Sequence, residues 1–164
     1  MAPRKTIEMA PTARTVATNI ARFRKQRGYT LSELSERMGG VGRPMSISGI
    51  SSMEKLQRRV DVDDLVAFAA ALDVSPAALL MPHVVDDEPG AAQDTLLITS
   101  AEPMPTKGGG ASVTAGQFWL WLIADSPLRE PLILNERDEV AVEAWRREQV
   151  PVWAYRTGEV NRGG

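Results

Sequence analysis

The sequence predicts a mainly α protein: an N-terminal domain of five short helices joined to a small C-terminal α or α+β module. Three observations predict it. Apolar residues recur at helical spacing through the first half, as in Val16, Ile20 and Phe23 and in Leu65, Phe68, Ala69 and Leu72. These runs are bracketed by residues that cap or break helices. The composition then turns: residues 1–83 carry 12 Lys/Arg against 8 Asp/Glu, residues 84–164 carry 7 against 13, and all four tryptophans lie in the second part.

Residues 1–13 contain two prolines and no sustained period, and are expected to form a flexible arm. The first helix follows Val16, Ile20, Phe23 and Arg27 and closes at Gly28. Thr30-Leu-Ser-Glu33 is a capping box, in which the threonine hydroxyl and the glutamate carboxylate each satisfy a free backbone N–H. The helix it opens is expected to run to Met38 and end at Gly39. Gly39 to Met45, with three glycines and Pro44, reads as a turn. Ser46 caps a third helix through Lys55 with Ile50 and Met53 inward, and Asp61 caps a fourth. Ser75-Pro76 places an N-cap before proline at the first helical position, opening a short fifth helix that Pro82 ends. Residues 14–83 are thus expected to form one domain, and residues 84–94, acidic and Pro/Gly-containing, a linker.

Residues 95–164 form the second module. Thr95 to Thr99 reads as a short strand and Pro103 to Gly110 as a flexible piece. The three glycines of that piece lack the lysine and hydroxyl residue of a phosphate loop. Thr114 is expected to cap a helix through Ala124, and Asn135 another that carries Val140, Ala144 and Trp145 on one face, with Arg146 and Arg147 near its end. Val150 to Tyr155 reads as a strand or an extended tail.

With no cysteine and only His83, disulfide scaffolds, thiolate zinc sites, Cys/His nucleophile pairs and a two-histidine metal site within one chain are excluded. Asp61, Asp63 and Asp64 cluster at a helix start, where carboxylates favour the helix dipole, so metal-assisted hydrolysis is not expected. No enzyme, metal or cofactor is expected. The longest apolar run, Phe118 to Ala124, is far short of the roughly 20 residues that span a bilayer, and nothing resembles a signal peptide; the expectation is a cytoplasmic protein without membrane contact. The acidic overall pI near 5.5 conceals a basic segment, since residues 1–60 hold 12 Lys/Arg against four Asp/Glu. That is an electrostatic footprint for a polyanion, or else a set of basic residues solvating helix surfaces.

From Ile20 to Met81 the order and spacing of Leu31-Ser-Glu-Leu-Ser-Glu-Arg-Met-Gly39, Ile50-Ser-Ser-Met-Glu54, Asp61 to Leu72 and Val74-Ser-Pro-Ala-Ala-Leu79 resemble the lambda-repressor-like, XRE-type helix-turn-helix domain. The resemblance covers roughly residues 14–82 and implies a compact five-helix DNA-binding fold. Two departures stand out. The turn at Gly40 to Met45 is longer than is usual, and Leu56 occupies a position commonly held by glycine, so the third helix is expected to end differently.

The resemblance implies that the third helix enters the major groove of double-stranded DNA, with Ile47, Ser48, Ser51 and Ser52 at base edges. Arg43 in the long turn is a candidate for a guanine or minor-groove contact, with a solvated loop arginine as the plain alternative. Lys55, Gln57, Arg58 and Arg59 fall where phosphates would lie, and Thr30 and Ser46, at helix N-termini, are phosphate candidates or simply caps. The family pattern pairs Arg24 with Glu54 as an internal structural ion pair. Arg4 and Lys5 are candidates to follow the duplex as an arm.

No family is recognised in the second half. Phe118, Trp119, Trp121, Trp145 and Trp153, with Tyr155, read first as the core of a small module, then as a self-association surface, and third as a ligand pocket. The functional expectation is a sequence-specific transcriptional regulator, a repressor, associated with the nucleoid, whose C-terminal module dimerises or senses a signal. The Ala- and Arg-rich, Lys-poor composition resembles actinobacterial or actinobacteriophage proteins, which brings in a phage immunity repressor. The alternative is an antitoxin-like module that holds a protein partner and binds DNA to regulate itself.

Overall fold

A computed structural model describes residues 9–83, 96–98, 112–128 and 139–155. Arg4, Lys5, Asn135 and the acidic linker lie outside these residues, as does Pro103 to Gly110. The described residues are mainly helical, with five helices in the N-terminal domain and a further C-terminal helical region. The first part holds α1 (Pro11–Gln26), α2 (Leu31–Gly40), α3 (Ile47–Glu54), α4 (Val62–Leu72) and α5 (Pro76–Leu80).

α1 starts earlier than expected. Pro11 sits in its first turn and Met9 is buried ahead of it, with Arg14 Nε donating to the Met9 carbonyl at 3.0 Å, so residues 11–13 belong to the helix rather than to an arm. Proline suits this position because its missing N–H would have had no helical partner. The other starts follow the chemistry of their caps. Thr30, Ser46, Asp61 and Ser75 each accept a backbone N–H with the side chain, from Glu33, Gly49, Asp64 and Ala78.

Helix ends obey a different rule. In α1, α2, α3 and α4 the residue at Gly28, Gly42, Leu56 or Asp73 takes a left-handed conformation, and its N–H and the next one return to carbonyls of the last turn. For α3 these are Leu56 to Met53 at 2.9 Å and Gln57 to Ser52 at 2.8 Å. α2 therefore runs past Gly39 and is closed by Gly42, with φ of 81°. Leu56 does what glycine would do there, with φ of 61°, so the expectation of a different ending is overturned. Two hydrogen bonds hold the leucine in a conformation that costs about 1–2 kcal/mol for an L side chain.

The inward faces converge on Phe68, which is fully buried with Ile20, Leu34, Met38, Ile50, Met53, Leu72 and Leu79 around it. α1 packs on α3, α4 and α5, while α2 packs on α3 and α4. Asn19 is the one uncharged polar side chain in this domain's interior, and it is used fully. Its Nδ2 donates to the carbonyls of Leu79 at 3.0 Å and Met81 at 2.7 Å, and its Oδ1 accepts from Arg22 Nε at 3.2 Å. The carbonyls left over at the end of α5 are thus satisfied from α1.

In the second part, β1 (Leu96–Ile98) pairs antiparallel with β2 (Ser112–Thr114) in the register Leu97 to Val113. β2 leads directly into α6 (Ala115–Leu122), opened by a second capping box of Thr114 and Gln117, and α7 (Glu139–Gln149) follows. α6 ends before Ala124, which takes the left-handed closing conformation. Arg146 on α7 donates to the Asp125 carbonyl and carboxylate, tying α7 to the end of α6. Val150 to Tyr155 is neither strand nor extended tail, because the N–H groups of Ala154 and Tyr155 both fold back to the Pro151 carbonyl. The tryptophans do not fill a core. Trp119 and Trp121 are each 37% exposed, Trp145 is half-buried and Trp153 is 88% exposed, while the buried apolar positions of the described module are Val113, Ala115 and Val142. No helix among the described residues is long and apolar enough to cross a membrane.

Replacing Asn19 with alanine strands buried carbonyls and is expected to cost about 1–3 kcal/mol in urea unfolding. An unchanged midpoint would mean that water serves α5 equally well. Leu56→Gly relieves the left-handed strain and should raise stability by about 1 kcal/mol in the same measurement, whereas a loss would show that the leucine side chain holds more packing than strain.

Candidate nucleic-acid interface

α3 presents an uncharged, small-residue face. Ile50 and Met53 point into the core, Ser46 and Ser48 are exposed, Ser51 and Ser52 are half-buried, and Ile47 stands 47% exposed at the first helical position. The Ser46 hydroxyl is within 3.1 Å of the Ser48 hydroxyl and accepts the Gly49 N–H, so the start of the helix is pre-set. Lys55, Gln57, Arg58 and Arg59 are exposed in the segment that follows.

The one acidic residue of α3, Glu54, is turned away from this face. Arg24 Nε donates to Glu54 Oε1 at 2.6 Å and Nη2 to Oε2 at 2.8 Å, while Nη1 donates to the Tyr29 carbonyl at 2.8 Å. The side chains are only 12% and 11% exposed. A planar guanidinium meeting a carboxylate edge to edge fixes angle as well as distance, so this pair sets how α3 lies across α1. The hydrogen bond to Glu54 holds the Arg24 guanidinium above its ordinary value, against the opposing effect of burial.

Arg43, 40% exposed in the turn, is paired within the protein. Its Nε donates to Asp64 Oδ1 at 3.0 Å and Nη2 to Asp61 Oδ2 at 3.1 Å, with Asp63 3.9 Å away. Asp64 is 1% exposed, and its other oxygen lies 3.8 Å from Arg58 Nη2 without a hydrogen bond. The long turn between α2 and α3 is thereby anchored to α4 by one buried carboxylate, and the segment after α3 approaches the same group. The Asp64 hydrogen bond raises the Arg43 pKa. Ser35 adds a further tie, donating to the Met45 carbonyl at 2.5 Å. Neither Asp64 nor Ser35 was singled out as an anchor from sequence. The signal was present only as an aspartate three positions after a capping aspartate.

Thr30 is also committed. Its N–H and hydroxyl both donate to Glu33 Oε2, at 2.7 and 2.8 Å, and these bonds hold the Glu33 carboxyl below its ordinary range. A carboxylate therefore already stands at the start of α2. The aromatic set is divided: Phe118 and Trp121 stack at 5.7 Å on α6, whereas Trp145 lies on α7 and Trp153 projects alone from the turn after it.

Residues 20–79 match the family model described as helix-turn-helix, so this segment is a helix-turn-helix domain of the kind its XRE-type resemblance implied, and no family covers the C-terminal half. Among solved structures, a hypothetical transcription factor from Neisseria is similar at 23% identity, covering 50% of this chain and 88% of that chain with a TM-score of 0.39. No curated protein matches the chain.

Glu54→Ala leaves the Arg24 guanidinium without its partner in the interior and should destabilise the domain by about 3 kcal/mol, read as a lowered urea midpoint. If the midpoint held while nucleic-acid binding vanished, Glu54 would be a contact residue rather than a strut.

Proposed function

We propose that the protein is a DNA-binding transcriptional regulator that reads an operator with α3 and represses by covering a promoter. The observation that carries the reading is a helix-turn-helix domain whose third helix shows a face with no exposed carboxylate, followed at once by Lys55, Arg58 and Arg59. Ile47 suits a thymine methyl, and Ser48, Ser51 and Ser52 are short donors and acceptors that several bases satisfy. Discrimination per base is then modest, and tight operator binding calls for two half-sites. In this reading the C-terminal module, with Trp121 and Trp153 exposed, supplies the dimer contact, and phage immunity is one setting in which such a repressor works. Arg43 holds the turn in position instead of reading bases, and Thr30 contributes as a cap.

The test is selection of DNA fragments by the full-length protein, followed by affinity measurement on the recovered motif at several salt concentrations. The expected motif has two half-sites about one helical turn apart. Lys55→Ala should flatten the salt dependence by about one unit of slope, while Ser51→Ala should relax preference at a single base pair at a cost of about 1 kcal/mol or somewhat more. Recovery of no motif would overturn the regulator reading and favour a module that holds a protein partner. A single asymmetric motif would overturn the two-fold arrangement.

A further inference from the structure

A cavity of about 520 Å³ opens where α6 meets the N-terminal domain, far in character from the serine face of α3. Its walls are apolar: Phe23 from α1, Met81 and Pro82 after α5, and Ala115, Trp119 and Leu120 at the start and middle of α6. The volume lies in the range of small-molecule sites, which combine apolar walls with a few placed polar groups. Two such groups border it, Arg22 and His83, and none of the described lining residues is acidic.

Arg22 is the unusual one. Its guanidinium carbon lies over the Phe23 ring, 4.0 Å from the centroid, and Nε is spent on Asn19 Oδ1. No carboxylate pairs with it among the described residues, although Arg24, Arg43, Arg146 and Arg147 each have one. Partial burial pushes its pKa down. The Nη groups are the remaining donors, and a guanidinium fork matches a carboxylate two-to-two. The Asn19 hydrogen bond and the Phe23 ring contact restrain the guanidinium before any ligand arrives.

We infer that this cleft is a binding site for a small amphipathic carboxylic acid, its apolar body lying between Phe23, Met81 and Trp119 and its carboxylate on Arg22. The site bridges α1 and the end of α5 to α6, so an occupant touches both halves of the chain at once. Nothing in this assignment depends on the DNA-binding proposal.

The probe is octanoate, titrated into the full-length protein by calorimetry with tryptophan emission followed in parallel, and compared with 1-octanol and octylamine. Saturable single-site binding of octanoate is expected, with a blue shift as Trp119 is covered. The alcohol and the amine should bind at least about tenfold more weakly, since a charged hydrogen-bonded pair is being removed or reversed. Arg22→Gln, checked for retained helical circular dichroism, should lose about the same factor for octanoate and leave the alcohol unchanged. Equal affinity for octanoate and octanol would overturn the assignment on the wild-type protein alone, whatever the variant does. Absence of saturable octanoate binding, as when the chain's own residues fill the cleft, would overturn it too, and so would an Arg22→Gln variant that is folded and binds octanoate undiminished.

Discussion

The bidentate contact between Arg24 and Glu54 is the constraint on which the N-terminal domain depends. Apolar packing of Ile50 and Met53 brings α3 against the core, but apolar contacts are tolerant of small rotations. A nearly enclosed ion pair is not, because each charge has exchanged water for one partner in one geometry. The pair does a second thing. By taking up Glu54 it removes the only carboxylate of α3 from the outward face, leaving Ile47 and the serines there with Lys55, Arg58 and Arg59 following.

Asp64 is the complementary anchor on the other side. Its buried carboxylate accepts Arg43 from the turn before α3 and lies near Arg58 from the segment after it. The two ends of α3 thus refer to one group on α4, and a turn longer than its relatives need not be a loose one. The cost is visible in Asp64 Oδ2, which has no hydrogen bond among the described residues. The basic residues near the candidate interface consequently divide in two: Arg24 and Arg43 build the frame, and Lys55 with the segment that follows is presented outward.

Much of the N-terminal domain was legible in the sequence. Caps at Thr30, Ser46, Asp61 and Ser75 are local chemistry, a side-chain oxygen within reach of an N–H three residues on, and they start helices where expected. Apolar periodicity located Ile20, Phe68 and Leu72 correctly for the same reason. Helix ends were less legible. The left-handed closing turn depends on two backbone hydrogen bonds that can impose it on Leu56 or Asp73, so glycine is an indicator and not a requirement. The carboxylate partners of Arg43 were not legible because they lie 18 to 21 residues away and meet it only once α4 has packed. In the C-terminal module the strand at Leu96 was legible but its partner Ser112–Thr114 was not, since strand pairing is non-local. The tryptophans were read first as core because size and hydrophobicity favour burial, yet Trp119, Trp121 and Trp153 are exposed and Trp145 is half-buried.

In the proposed mode of action the α3 face, oriented by Arg24 and Glu54, meets DNA. The most direct measurement is an amide NMR titration of the full-length protein with a duplex carrying its selected motif, recorded at moderate salt. The account predicts shifts concentrated at Ser46 to Ser52 and at Lys55 to Arg59, with α7 amides unmoved. Perturbations centred on α6 and α7, with α3 silent, would contradict it.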